Sequence, residues 1–222
     1  MNNYKEAAKD LEDVLGLETC LIGVKYGDEP DLRGDPERKL AACEAIDAVR
    51  REKSVVNLSS ESCNCIGGRY YLGLAAVPKE QIVRVVMDVH KMFAAEQIAQ
   101  RFLDNVAPPS GRGSVVVMAP LLDMSAEPDL VLSVCDANQA NRIVSLLMYS
   151  GLRPFTYNLV SAGCTSLANS MVTGEIDINF ITAHARRRVP NFGAHELIVA
   201  MPLDRFHEAV ASLPHAGAGR EG

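Results

Sequence analysis

The sequence has no tryptophan, and aromatic residues make up only 5% of its 222 residues. A buried core must therefore consist mainly of Val, Leu, Ile, Ala and Met. Long apolar runs are also absent, since the purest one, 115–122, is far shorter than the roughly 20 residues needed to span a bilayer. The N-terminal segment carries Lys5, Glu6, Lys9 and Asp10 where an export signal needs an apolar stretch. These absences disfavour a membrane or exported protein and predict a cytoplasmic one.

Several common functional signatures are missing as well. The sequence contains no G-x-G-x-x-G, P-loop, H-E-x-x-H or G-x-S-x-G motif, so the commonest nucleotide, protease and hydrolase signatures are absent. The formal net charge of -6 disfavours nucleic-acid binding, because a polyanion attracts a basic surface. We expect a small-molecule ligand and no membrane partner. A homo-oligomer is compatible with the sequence, which leaves open whether the protein is an enzyme.

Segments typical of strands and helices alternate along the chain. Period-2 or continuous apolar patterns predict strands, and apolar residues three or four apart predict helices. The alternation predicts an α/β fold with a mixed sheet flanked by helices. The predicted strands are 19–26, 55–58, 70–77, 114–121, 129–135, 153–160, 176–182 and 196–201. The predicted helices are 4–15, 38–52, 78–105, 136–150, 162–173 and 203–213.

A turn with the sequence PPSGRG divides the chain into an N-terminal half, 1–107, and a C-terminal half, 114–213. The tail 214–222 has no apolar period, and we expect it to be disordered. A strand, a proline and a helical apolar period recur within each half, and in each case a cysteine precedes the proline, Cys43 in the first half and Cys164 in the second. This echo indicates two diverged similar halves of one compact unit. Convergent use of a common strand–proline–helix turn is the alternative.

Six cysteines in a reducing compartment are expected to be core residues, metal ligands or reactive thiols rather than disulfides. Cys63 and Cys65 would point to the same side of an extended chain, where both sulfurs could reach one ion. Gly67 and Gly68 follow in a segment too rich in Ser, Cys and Gly for regular structure. Glycines allow unusual backbone dihedrals and leave N–H groups accessible to a thiolate or an anionic ligand. The alternative is a turn with merely buried thiols.

The other cysteines differ in their surroundings. Cys164 lies among small residues near a predicted helix N-terminus, where the helix dipole would lower its pKa. Cys43 shares a predicted helix face with apolar residues and is a candidate ligand because of the other thiols. Cys135 ends a strand, and Cys20 lies in an apolar strand typical of a core position. Arg187, in a run of three arginines, is a candidate for holding an anionic substrate; a solvated helix face is the alternative.

The order of these blocks resembles a known family. LAACEAI, ESCNCIGGRYYLG, PDLVLSVCDANQANRIVSLL, a Gly-Cys pair and ELIVAMP are similar to domain of unknown function 169, an archaeal conserved region that is also found in bacteria. The resemblance covers nearly the whole chain, and it implies no established activity. It matches the family's recurrent cysteine and glycine positions, whereas Cys63 is an addition. The matching residues are Cys43, Cys65, Gly67, Gly68 and Cys164.

Three functional hypotheses follow. In the first, Cys43, Cys63 or Cys65, and Cys164 hold an iron–sulfur cluster or zinc that binds or acts on a small molecule. In the second, Cys164 is the nucleophile or redox thiol of a metal-free enzyme. In the third, the cysteines are structural and the protein binds a small molecule or a partner without catalysis.

Overall fold

A single seven-stranded sheet forms the centre of the protein, which we describe from a computed structural model covering residues 4–151, 156–157 and 163–220. The strand order is β2-β3-β1-β4-β7-β6-β5. All neighbouring strands are antiparallel except β5 and β6, which are parallel. The strands are β1 (Ile22–Gly27), β2 (Val56–Ser59), β3 (Val115–Pro120), β4 (Leu130–Cys135), β5 (Thr156–Tyr157), β6 (Asp177–Phe180) and β7 (Leu197–Pro202).

Helices cover both faces of this sheet. They are α1 (Tyr4–Leu15), α2 (Ala42–Glu52), α3 (Ile66–Tyr71), α4 (Lys79–Arg84), α5 (Glu96–Asn105), α6 (Ala137–Ser150), α7 (Gly163–Thr173), α8 (Ala183–Arg188) and α9 (Leu203–Ser212). One face of the sheet packs against α2, α7 and α8, and the other packs against α1, α6 and α9. The prediction of an α/β fold with a mixed sheet flanked by helices is confirmed. The division into two diverged halves stays a prediction.

The strands are buried on both faces because helices cover both, and their apolar residues are therefore nearly continuous. All six residues of β3 and all six of β4 are buried. Strand β3 follows the PPSGRG turn, yet it pairs with β1 on one side and with β2 on the other. The first four strands in the sheet order thus combine residues from before and after that turn.

Three predictions fail in the segment after the second strand. The segment 70–77 was predicted as a strand, but its first residues end helix α3 and the chain then continues into a turn. The Ser-Cys-Gly segment before it was predicted to be irregular, but α3 begins within that segment, at Ile66. The helix predicted over 78–105 is broken into α4, a π-helical turn at Val85–Val89, and α5. Lys91 has a positive φ of 53°, which ends the helix. We call residues 79–105 the helical lobe; its apolar residues pack on Tyr70 and Tyr71 and on α7.

The C-terminal segment also differs from expectation. Residues 214–220, expected to be disordered, lie against α6, where Ala216 is buried and the Arg142 guanidinium donates two hydrogen bonds to the Ala218 carbonyl. The strand predicted at 153–160 is described only at 156–157, and its other residues lie outside the described ranges. Among the described helices, none has both the length and the apolar character needed to cross a bilayer.

Candidate functional site

A cavity of about 100 Å³ lies between the helical lobe and the sheet-bound helices. Cys43, Cys65 and Cys164 all line it, although they come from three separate parts of the chain. Each stands at the beginning of a helix: Cys43 in the first turn of α2, Cys65 immediately before α3, and Cys164 in the first turn of α7. We call this space the thiol cavity. Three of the four predicted metal ligands therefore share one site.

Backbone pairing brings the first two of these cysteines together. Residues Leu40 and Cys63 form an isolated parallel bridge, in which the Leu40 N–H donates to the Ser62 carbonyl and the Asn64 N–H donates to the Leu40 carbonyl, both at 3.1 Å. Leu40 lies just before α2, and Cys63 lies just before α3. The bridge therefore sets the beginnings of the two helices side by side, with Cys43 and Cys65 facing the same cavity.

Close packing positions the third cysteine. A Cβ atom added to Gly163 would lie 2.7 Å from the Ile198 Cδ1 atom of β7 and 3.4 Å from the Ile46 Cδ1 atom of α2. The absence of a side chain at this residue lets α7 begin directly against the sheet and α2. Cys164 is then half-buried between the main core and the core of the lobe.

Cys63 and the two glycines occupy a different position from the one predicted. The Cys63 side chain is buried outside the thiol cavity, and its thiol donates to the Cys65 carbonyl at a sulfur–oxygen distance of 3.6 Å. Gly67 and Gly68 lie within α3 without positive φ angles, so the expected unusual dihedrals are not found. Both glycines do line the cavity. A Cβ on Gly68 would lie only 2.9 Å from the Cys63 sulfur, so glycine is needed there for close packing.

Arg188, at the end of α8, is the strongest charge at the cavity. Its Nε atom lies 3.0 Å from the Glu44 carboxylate in the first turn of α2. Its Nη2 atom donates to the Asn64 side-chain oxygen at 2.5 Å. Glu44 in turn accepts a hydrogen bond from the Ala41 N–H at 2.6 Å, which satisfies a backbone donor at the beginning of α2. Arg188 therefore ties α8 to both segments that carry Cys43 and Cys65.

Burial and mutual repulsion raise the pKa values of Cys164 and Cys43. The pKa of Cys164 is well above its ordinary value, chiefly because of burial and then because of Cys65, Cys43 and Cys63. Burial, followed by Cys65 and Glu44, raises the pKa of Cys43 to about 11. The expectation of a lowered Cys164 pKa is therefore wrong for the metal-free chain. The helix dipole acts over one turn and is outweighed by the loss of hydration around the sulfur.

Besides Cys63, three residues considered in the sequence do not reach the cavity. Cys135 is buried on the opposite face of the sheet, among the residues of α1, α6 and α9, where burial raises its pKa to about 12. Cys20 contacts the backbone carbonyls of Val49 and Arg50 at the far end of α2. Arg187 is exposed and is not part of the lining, in contrast to its neighbour in the arginine run, Arg188.

Sequence reasoning missed two further groups that line the cavity. The first is a histidine pair, His90 from the lobe and His184 from α8. The second is the apolar wall that the lobe supplies, which includes Val86, Met92 and Phe102. The only sequence signal for either group was the apolar helical period of 78–105, which predicted one buried helix face rather than a cavity wall.

The donor atoms are not arranged as a finished metal centre. Within residues 4–151, 156–157 and 163–220, no group of three or more His, Cys, Asp and Glu side chains is placed to hold a metal ion. The chemistry of the lining nevertheless suits a soft metal, because thiolates are the ligands that zinc and iron–sulfur clusters prefer. The cysteine sulfurs would have to move to surround a shared ion.

The fold and this cavity define a three-layer α/β protein with a thiol-lined apolar site. The chain belongs to the family described as domain of unknown function 169, uncharacterised ArCR, whose model matches residues 10–212. It is 22% identical to an uncharacterised protein of Methanocaldococcus jannaschii over 97% of this chain and 95% of the relative. No solved structure gives a significant match. The family resemblance expected from the sequence is confirmed, and it brings no activity with it.

Proposed function

We propose that this protein binds a small molecule in the thiol cavity, at a metal centre held by Cys43, Cys65 and Cys164. The observation that carries the proposal is the convergence of three thiols from distant parts of the chain on one enclosed cavity. Packing alone needs no such convergence, since Cys20 and Cys135 are accommodated in other parts of the structure. The metal is zinc or an iron–sulfur cluster, because both take thiolate ligands.

Three protein ligands leave one coordination position for another group. When bound, the metal would act as a Lewis acid toward a small molecule at that open coordination position. The chain itself would supply an apolar enclosure from the lobe and a fixed cation, Arg188, beside the thiols. A positive ion also offsets the mutual repulsion that several neighbouring thiolates would otherwise experience.

One observation favours a second candidate, a non-catalytic binding protein without metal. The thiol groups are not arranged around a common point in the described residues, and most of the remaining lining is apolar. In that case the thiols only complete the wall of a small-molecule pocket. The raised pKa of Cys164 argues against a third candidate, a metal-free thiol enzyme, because the thiolate is the reactive form.

Metal analysis of protein purified without air separates the candidates. Iron, acid-labile sulfide and zinc are measured together with the absorption spectrum, before and after reconstitution. We expect near-stoichiometric metal in the wild type, and loss of metal in each of Cys43→Ala, Cys65→Ala and Cys164→Ala. Cys135→Ala, a buried thiol on the other face of the sheet, and Cys20→Ala are the matched controls and should keep the metal. Wild-type protein that stays metal-free after reconstitution would leave only the non-catalytic candidate.

A further inference from the structure

The charge of the thiol cavity differs in sign from that of the whole chain. The protein carries 28 acidic residues and a formal charge of -6. Within the described residues, however, no Asp or Glu lines the cavity, whereas Arg188 does, and its partner Glu44 lies outside the lining. A cavity with a cation and no carboxylate favours an anionic ligand and disfavours a cationic one.

Arg188 has donors left for such a ligand. Its Nε atom contacts Glu44 of α2. Its Nη2 atom donates to Asn64, in the loop before α3. A guanidinium has five N–H donors in a planar fork, so two contacts do not exhaust it. Carboxylate and phosphate groups both match this fork, and a carboxylate occupies less of a cavity of about 100 Å³.

The wall of the cavity that the helical lobe supplies is apolar except for His90. Residues Ile82, Val85, Val86, Met92 and Phe102 of the helical lobe line it. A ligand that is charged throughout, such as a free inorganic anion, would leave this wall without a partner. The cavity instead matches a molecule with a charged end and an aliphatic body, because each part then meets a surface of its own kind.

The volume limits the length of that body. A dry cavity of about 150 Å³ accommodates benzene, which has six carbon atoms. The thiol cavity measures about 100 Å³. On this scale it holds roughly four non-hydrogen atoms, enough for a chain of up to about four carbon atoms whose charged oxygens are placed beyond it at Arg188, a side chain that is 30% exposed.

We infer that the ligand of the thiol cavity is a short-chain carboxylate of about two to four carbon atoms, with its carboxylate toward Arg188 and its alkyl chain against the lobe. This inference rests on the proposed function in placing the small molecule in the same cavity, but it does not need the metal. The carboxylate charge supplies most of the selectivity, and the lobe sets the upper limit of chain length.

Calorimetric titration of reduced, metal-free protein with butyrate tests the inference. Butyramide and n-butylamine have nearly the same size but are neutral and cationic at neutral pH, and octanoate keeps the charge but exceeds the cavity. We expect butyrate to bind at least about 10-fold more tightly than each of these three compounds. Equal binding of butyramide and butyrate would overturn the inference, as would equal binding of octanoate.

Two neighbouring arginines provide the matched pair of variants. Arg188→Gln should weaken butyrate binding by roughly 10- to 100-fold, since a charge-assisted hydrogen bond is lost. Arg187→Gln removes the same charge from the adjacent, exposed residue outside the lining and should change binding by less than about 3-fold. Equal effects of the two variants would contradict the assignment of Arg188.

Val86→Ala keeps the test valid if Arg188→Gln does not fold. This substitution enlarges the cavity beside the apolar wall, so we expect the preferred ligand chain to lengthen by about one or two carbon atoms. The requirement for a carboxylate should not change. An unchanged chain-length preference would place the alkyl group elsewhere and overturn the inference. The titrations use metal-free protein, so they can be judged apart from the metal analysis. If butyrate binds but the protein takes up no metal, only the proposed metal centre is refuted. If the protein takes up metal but does not bind butyrate, only this inference is refuted.

Discussion

The imidazole rings of His90 and His184 lie with their centroids 3.8 Å apart, at an angle of 50° between their planes. His90 follows the π-helical turn of the lobe, and His184 lies in the first turn of α8, so their contact joins the lobe to the body of the protein. Burial is the main reason why the pKa of both rings is lowered. The neighbouring groups His184 and Arg187 lower the pKa of His90 further. For His184, the neighbouring charges that lower the pKa are those of Arg187 and Arg188.

This pair should make the protein less stable in weakly acidic solution. The folded state favours the neutral rings, whereas the unfolded chain takes up protons below the ordinary histidine pKa of about 6.5. The free energy of unfolding should therefore be highest above that pH and fall as the pH drops from 7.5 to 5.5. Urea unfolding at several pH values measures the slope. His90→Gln and His184→Gln should each reduce it, and His207→Gln, on α9 outside the cavity, is the control that should leave it unchanged. A wild-type slope that survives both variants would assign the effect to other groups.

Asp177 should act in the opposite direction. It is fully buried in β6, its Oδ2 atom accepts a hydrogen bond from the Asn169 side chain at 2.6 Å, and burial raises its pKa to about 6. The folded state therefore holds the proton more tightly than the unfolded chain, and this carboxylic acid costs stability as the pH rises from about 4 to 6. The penalty above pH 6 is about 3 kcal/mol for a rise from 3.8 to about 6.

Replacing this carboxyl group tests the sign directly. Asp177→Asn should raise the free energy of unfolding at pH 7.5 by about 1–3 kcal/mol and at pH 4.5 by no more than about 1 kcal/mol. Asp10→Asn, on the exposed side of α1, is the control and should stay within about 0.5 kcal/mol at both pH values. A destabilising effect of Asp177→Asn at pH 7.5 would show that the ionised group has a stabilising partner.

Arg50 should be essential for the position of α2. Its side chain is fully buried, with Nε 2.8 Å from an Asp47 oxygen and Nη1 2.6 Å from a Glu196 oxygen. Its guanidinium also lies 4.6 Å from the centre of the Phe192 ring. Arg50→Met should reduce the free energy of unfolding by about 3–5 kcal/mol, because it leaves two largely buried carboxylates without this partner.

The adjacent arginine is the matched control for this effect. Arg51 contacts the same Asp47 oxygen at 3.4 Å, but its side chain is 47% exposed. Arg51→Met should therefore change the free energy of unfolding by less than about 1 kcal/mol. Chemical denaturation of both variants compares them, and equal losses would mean that burial of the ion pair does not determine its contribution.

The two glycines of α3 should differ in their tolerance of a methyl group. A Cβ on Gly67 would make an ordinary contact of 3.8 Å with the Cys65 sulfur, whereas one on Gly68 would lie 2.9 Å from the Cys63 sulfur. Gly67→Ala should be neutral or raise the free energy of unfolding by up to about 1 kcal/mol, because alanine favours helices. Gly68→Ala should lower it by about 1–3 kcal/mol through overpacking. Urea unfolding measures both, and equal values would show that α3 shifts freely against Cys63.

Local sequence patterns determined most of the architecture but failed where tertiary contacts competed with them. The strands at 115–120 and 130–135 were predicted within one residue of each end, because continuous apolar runs are typical of strands covered on both faces. The segment at 70–77 also has apolar residues suited to a strand, yet Tyr70 and Tyr71 pack as a helix against the lobe. The break at Val85–Val89 had no local signal such as proline or glycine.

The sequence by itself determined the α/β class, the family and the cysteines worth considering, because these depend on apolar periodicity and on residue order. Only the tertiary structure decided which cysteines meet. The Leu40–Cys63 bridge joins the beginnings of α2 and α3, and the side-chain-free Gly163 lets α7 approach them, so Cys43, Cys65 and Cys164 converge while Cys135 does not. The same convergence raises the pKa of Cys164, since hydration and neighbouring charges depend on distances in space rather than along the chain.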